Sequence, residues 1–269
     1  MPHELAIIGA GVMAEAIARG IISSGLLRPD QIIAADISQA RREFFTDQLH
    51  IPAVPAADRA AAEAATVLLC VKPHQVESVL QTLAPAMQER TLLISIAAGI
   101  GSAFIEKTLD QGKRWRVIRS MPNTPMVVGL GMVAIAPGAN ASQADLDLAR
   151  RLFESSAKVL RTSEDKIDAV TALSGSGPAY FFFLTEQMIQ AGIVLGLEPD
   201  EAKTLAIQTA LGAAKMMADS PDPAGHRHRV TTPNGTTHAA ISHLESQDWP
   251  QITVEAIKSA ARRSREMGK

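Results

Sequence analysis

Residues 5–20 read LAIIGAGVMAEAIARG, and the order of residue types within them decides the fold. Leu5 to Ile8 is a short apolar run that ends in Gly9-Ala10-Gly11, after which Met13, Ala16, Ile17 and Gly20 recur at helical spacing. That is strand, tight turn, helix. The pattern then repeats, with further strand candidates at Ile32 to Ala35, Thr66 to Val71, Leu92 to Ile96 and Val117 to Ile118, each followed by a polar-faced helix. Such alternation predicts an α/β fold, a mostly parallel sheet with helices on both faces. Two more short strands are predicted at Met132 to Ala136 and Val159 to Arg161, with a helix from Gln143 to Ser155 between them. The alanine-rich stretch Ala56 to Ala65 reads as a surface helix.

The glycine turn carries chemistry as well as shape. Gly9-x-Gly11-x-x-Ala14 lies between the first strand and the first helix, the context in which this spacing indicates dinucleotide binding. The first glycine permits the tight turn, the second lets backbone approach a pyrophosphate, and small Ala14 lets the helix pack on the strand. The helix-opening amides, at Val12, Met13 and Ala14, then meet the phosphate charge. Asp36 ends the second strand, where an acid bonds an adenosine ribose and favours NADH. Ser38, Arg41 and Arg42 follow at once, and a guanidinium there would hold the 2′-phosphate of NADPH. Both cofactors stay open on the sequence. Three more segments fall at the carboxyl ends of strands, the ligand-binding edge of an open sheet: Val71-Lys72-Pro73, Ser95 to Gly99 with Ala97-Ala98-Gly99 at its end, and Met121 to Pro125 with Asn123 at its centre.

Near residue 163 strand-like alternation stops and helical spacing runs to the end, so the chain divides into 1–162, a dinucleotide-binding domain, and 163–269, an all-α domain. Helices are predicted at Pro178 to Leu195, Asp200 to Met217, Thr236 to Glu245 and Pro250 to Glu266. The first of these is too apolar to face solvent unless something covers it, so a partner subunit is the simplest cover, and a homo-oligomer is expected. Two polar turns open helices: Ser174 to Tyr180, and Val230 to Thr237. Ser176 and Thr236 suit an N-cap, but the second turn holds more hydroxyls than capping needs. Its amides at Gly235, Thr236 and Thr237, beside the hydroxyls of Thr232 and Thr237, would take a small carboxylate.

Composition narrows the function classes. Among 269 residues, 46% are hydrophobic, 20% charged and 4% aromatic, and the net charge is −2, which suits a soluble globular chain and offers nucleic acid no basic field. Glu186, Gln187 and Gln190 interrupt the most apolar stretch, so no membrane span is expected. The start, MPHELAIIGAGVMAEA, has an acid before its apolar run and does not fit a secretion signal, and the single cysteine, Cys70, allows no intrachain disulfide, so a cytoplasmic location is expected. No metal site is expected, since the histidines at 226, 228, 238 and 243 read as solvated and find no cysteine or acid cluster to complete a set.

The run VTTPNGTTHAAISHLE (Val230 to Glu245), with SGSGPAY at 174–180, MPNTP at 121–125, SIAAG at 95–99 and VKP at 71–73, resembles the pyrroline-5-carboxylate reductases, in the same order and over nearly the whole chain. The resemblance implies a Rossmann domain, an α-helical dimerisation domain, a homodimer that builds a ring of dimers, and reduction of a cyclic imine to L-proline with NADPH or NADH. It maps the family's Ser-Pro-Gly-Gly turn onto Thr232-Pro233-Asn234-Gly235, the carboxylate-binding amides onto Gly235, Thr236 and Thr237, and the hydroxyl near the ring nitrogen onto Thr237, with Ser176 also at the substrate. Departures are Thr232 for serine, Asn234 for glycine, and the basic loop His226-Arg227-His228-Arg229. A β-hydroxyacid dehydrogenase would place a lysine on the first long helix of the second domain, and Pro178 to Leu195 has none.

Overall fold

The computed structural model describes residues 3–110 and 112–268. Among them lie eight strands: β1 (His3–Ile8), β2 (Ile32–Ala35), β3 (Ala53–Val54), β4 (Ala64–Leu69), β5 (Leu92–Ser95), β6 (Arg116–Met121), β7 (Gly131–Pro137) and β8 (Ala157–Arg161). They form one sheet in the order β3-β2-β1-β4-β5-β6-β7-β8. Every pair is parallel except β6 with β7. Period-two alternation gives the sheet two buried faces: Leu5 and Ile7 point to one core, Ala6 and Ile8 to the other. The first core is covered by α1 (Val12–Ser23), α2 (Gln39–Leu49) and α6 (Gln143–Glu154). The second is covered by α3 (Ala57–Ala62), α4 (Val76–Leu83) and α5 (Ser102–Leu109).

One local expectation is corrected, and one strand is added. The alanine-rich stretch does form α3, yet Ala60 and Ala61 are fully buried in the second core, and Ala64 already belongs to β4. The alanines are there because a methyl lets the helix lie close to the sheet. β3 is too short to show any alternation, and only its pairing with β2 identifies it.

By contacts the chain divides into two units, one holding residues up to Gly175 and those from Ala260 onward, the other Ser176–Ser259. The period changes near 163, but α7 (Ile167–Val170) buries Ile167 against Ala134 and Ala136 of β7, and a π-helical turn, Thr171–Gly175, continues it. The sheet unit also holds the end of α12 (Trp249–Met267). Arg119 of β6, only 5% exposed, donates to Glu164 at 3.1 Å and Asp168 at 3.4 Å, and the Ser264 hydroxyl of α12 donates to Asp168 at 2.8 Å.

The helical unit contains α8 (Gly177–Val194), α9 (Pro199–Asp219), α10 (Pro223–Arg229), α11 (Thr236–Ser246) and the start of α12. Ala202 and Ala206 of α9 are buried, with Gly192 of α8 leaving room for Ala202. Most large apolar residues of this unit stay uncovered within one chain: Phe181, Phe182 and Phe183 are 62%, 63% and 61% exposed. Among the described residues no helix is long and apolar enough to cross a membrane.

Candidate active site

Because β1, β2, β4, β5 and β6 are parallel, the loops after them meet at one edge of the sheet. That edge gathers Gly9 to Ala14, Asp36 and Ser38, Val71 to Pro73, Ala97 to Gly99, and Asn123. Strand order reverses between β1 and β4, the switch point at which open sheets bind ligands. Gly9 sits there with φ of 93°, and a side chain on it would stand 3.0 Å from the Cys70 carbonyl and from Val71. Gly11 caps α1, and the first helical bond runs from Glu15 N to Gly11 O. The amides of Val12, Met13 and Ala14 therefore precede the helical ladder. Nothing lies within 4 Å of the position a Gly11 Cβ would take, and Val12 is 67% exposed. Ala14 is fully buried and seats the helix on the sheet. An open cradle of unpaired amides at a helix start fits a pyrophosphate.

The β2 end is more tightly bonded than its sequence suggests. Asp36 Oδ2 accepts from the Ala10 amide at 2.7 Å and Oδ1 from the Ser38 amide at 2.8 Å. Arg41 is drawn onto the Ala10 carbonyl at 2.6 Å, pairs with Glu15 at 3.1 Å and lies over the Phe44 ring at 4.6 Å. Arg42 donates to the carbonyls of Asp36 and Ile37, both at 2.9 Å. Both guanidinium groups are tied to backbone carbonyls, Arg42 through Nη1 alone, and the Asp36 carboxylate is held in place by two amides. Ser38, the N-cap residue of α2, is exposed and makes no capping bond.

The remaining sheet-edge residues differ in access. Val71 and Pro73 are half-buried, Lys72 exposed, Ala97 and Gly99 buried, and Ala98 half-buried. A side chain on Gly99 would meet the Ser264 carbonyl and Met267, so α12 backs this loop. Asn123 has its side chain committed: Nδ2 donates to the Ser174 carbonyl at 3.2 Å, and Oδ1 accepts from Met132 N at 2.8 Å. It ties the π-helical turn to β7. Burial pushes the Cys70 thiol up, so it stays protonated and packs.

In the helical unit, Thr232-Pro233-Asn234-Gly235 forms a turn closed by Gly235 N to Thr232 O at 3.0 Å, with φ of 60° at Asn234. This is the left-handed conformation that asparagine accepts more readily than most residues. Thr232 Oγ1 would stand 2.5 Å from any Cβ on Gly235, so the hydroxyl folds over that residue. Two expectations change. The Gly235 amide closes the turn, and Gly235, not Thr236, is the N-cap of α11. The first helical bond runs from Ala239 N to Gly235 O, which leaves Thr236, Thr237 and His238 with amides ahead of it. His238 was missed, though its place three residues past the cap marks it. Ser176 heads a different helix, α8, without a side-chain capping bond.

The basic stretch 226–229 is helical rather than a loop. Asp222 caps α10 through the Gly225 amide at 2.8 Å, His226 bonds the Ser220 carbonyl at 2.8 Å and Arg229 at 2.7 Å, and Arg227 pairs with Glu245 at 3.4 Å. Among the described residues no three or more His, Cys, Asp or Glu side chains group as metal ligands would.

Known proteins match both units. Residues 164–267 match the family model described as pyrroline-5-carboxylate reductase dimerisation, and residues 4–99 that of NADP oxidoreductase, coenzyme F420-dependent. The pyrroline-5-carboxylate reductase of Pseudomonas aeruginosa is 40% identical over 98% of this chain and 96% of its own. The chain belongs to the pyrroline-5-carboxylate reductase family. A solved pyrroline-5-carboxylate reductase from Coxiella burnetii superposes with a TM-score of 0.90 at 33% identity, with all of both chains covered. The Plasmodium falciparum pyrroline carboxylate reductase, solved with NADP bound, gives 0.87 at 26% identity, covering 99% of this chain and 98% of that one. The match of residues 164–267 to a dimerisation domain makes the chain a homo-oligomer.

Proposed function

We propose that the chain is an NAD(P)H-dependent imine reductase that converts 1-pyrroline-5-carboxylate to L-proline, the last step of proline biosynthesis, in the cytoplasm. The observation that carries this reading is the 232–237 turn, where Asn234 in the left-handed region and an engaged Gly235 amide leave the next amides of α11 for an anion. A substrate carboxylate is the anion such a helix start suits. In this reading Thr236 and Thr237 hold the carboxylate through their amides, the Thr232 hydroxyl stands beside it, and Gly235 and Asn234 shape the turn. Ser176 contributes a further hydroxyl.

The sheet edge would hold the dinucleotide, with the amides of Val12, Met13 and Ala14 at its pyrophosphate and Val71 to Pro73 and Ala97 to Gly99 beside it. Asn123 acts there by positioning Ser174. When bound, the reduced nicotinamide supplies the hydride. Thr237 Oγ1 accepts a hydrogen bond from the protonated ring nitrogen and holds the C=N bond in place, a contribution of about 1.5–3 kcal/mol for a bond to a charged group. No strong acid is required, because the protonated imine is itself the better electrophile. Most of the rate comes from holding two reactants in register.

Initial rates with the cyclic imine and each reduced nicotinamide in parallel test the proposal. Oxidation of the reduced cofactor is expected with the imine, and no reduction of the oxidised cofactor with 3-hydroxyacids; turnover in neither assay would leave a nucleotide-binding sensor. The homodimers assemble into a ring of dimers, which sedimentation velocity checks.

A further inference from the structure

The sheet edge carries the signs of a choice between the two nicotinamide cofactors, and we infer that Asp36 makes this chain an NADH-preferring enzyme. The inference rests on the dinucleotide reading of that edge. NADPH differs from NADH only by a phosphate on the adenosine ribose, and the residue ending β2 is the one that meets this ribose in a sheet of this topology. Here that residue is a carboxylate, and both its oxygens are fixed. Oδ2 is held by the amide inside the glycine turn and Oδ1 by the amide that opens α2. Lone pairs remaining on those oxygens accept from ribose hydroxyls, whereas a phosphate in the same place would set two anions against each other.

The cations nearby do not offset this repulsion. Moving Arg41 to a 2′-phosphate means leaving the Ala10 carbonyl, the Glu15 carboxylate and the Phe44 ring together. Arg42 is tethered through Nη1 to the carbonyls of Asp36 and Ile37, the two residues that shape the β2 exit, so it can turn fully onto a phosphate only by releasing them. The Ser38 hydroxyl is open, but it brings no charge. Asp36 also fastens the loop itself, so its rearrangement would loosen the Gly9 to Gly11 turn that receives the pyrophosphate.

The test is a fluorescence titration of each reduced cofactor with the full-length protein in the absence of imine, so that it stands apart from whether the imine is reduced. The wild-type Kd for NADPH should exceed that for NADH about tenfold or more. Asp36→Asn, which keeps one acceptor and removes the charge, and Asp36→Ser should each reduce this ratio about tenfold. Competition with ADP and 2′,5′-ADP provides a second reading on the unmodified chain, with ADP the stronger competitor. Equal or tighter wild-type binding of NADPH overturns the inference, as does an unchanged ratio in folded Asp36 variants.

Discussion

Gly9 meets two demands that no other residue meets together, a φ of 93° and passage 3.0 Å from the Cys70 carbonyl. Gly9→Ala is expected to lower stability by about 2–3 kcal/mol in chemical denaturation and to abolish dinucleotide binding in a titration. Thr237→Val should lower kcat/KM about 10- to 100-fold while leaving the cofactor Kd unchanged, and wild-type kinetics in that variant would remove Thr237 from the chemistry. Glycine and asparagine requirements of this kind are legible in sequence because backbone conformation is a local property. Partner choice is not local. That Asp36 would bind Ala10, or Asn123 bind Ser174, depends on groups brought together only by folding.

Among the elements, α8 shows how far periodicity reaches. Its high apolar content is readable in the sequence and signals a missing cover. With Phe182 63% exposed in one chain, Phe182→Asp is expected to shift the oligomer toward monomer in sedimentation equilibrium and to reduce activity along with it. The strands on both sides of the glycine turn were readable for the same reason, as continuous apolar runs buried on two faces. α10 escaped notice because four basic residues in a row mask a helical turn; its Asp222 cap was the signal to read. The site elements were likewise legible as turns that open helices, but which amides remain free required the bond from Gly235 to Thr232.

For the whole molecule, the sequence shows a change from alternating strands to helices, yet contact places Gly175 with the sheet and returns the end of α12 to it. Nothing in the local pattern near Ser264 predicts that return, since it depends on Asp168 and on the buried Arg119 behind it. Arg119→Gln removes the charge that faces Glu164 and Asp168; because both carboxylates keep some solvent, the loss is expected near ~2 kcal/mol, below that of a fully buried pair, and is measurable as a fall in denaturation midpoint. The turn at 232–235 also sets how the protein ages. Asn234 is exposed and is followed by glycine, the sequence in which the next backbone nitrogen, once its bond to Thr232 opens, most easily attacks the side-chain amide carbon, expels ammonia and closes a succinimide. Hydrolysis of that ring leaves aspartate or isoaspartate, a new negative charge beside the proposed carboxylate site. Samples held at alkaline pH should lose affinity for the imine in step with deamidation at Asn234 by peptide mass mapping, and Asn234→Gly should keep its activity under the same storage.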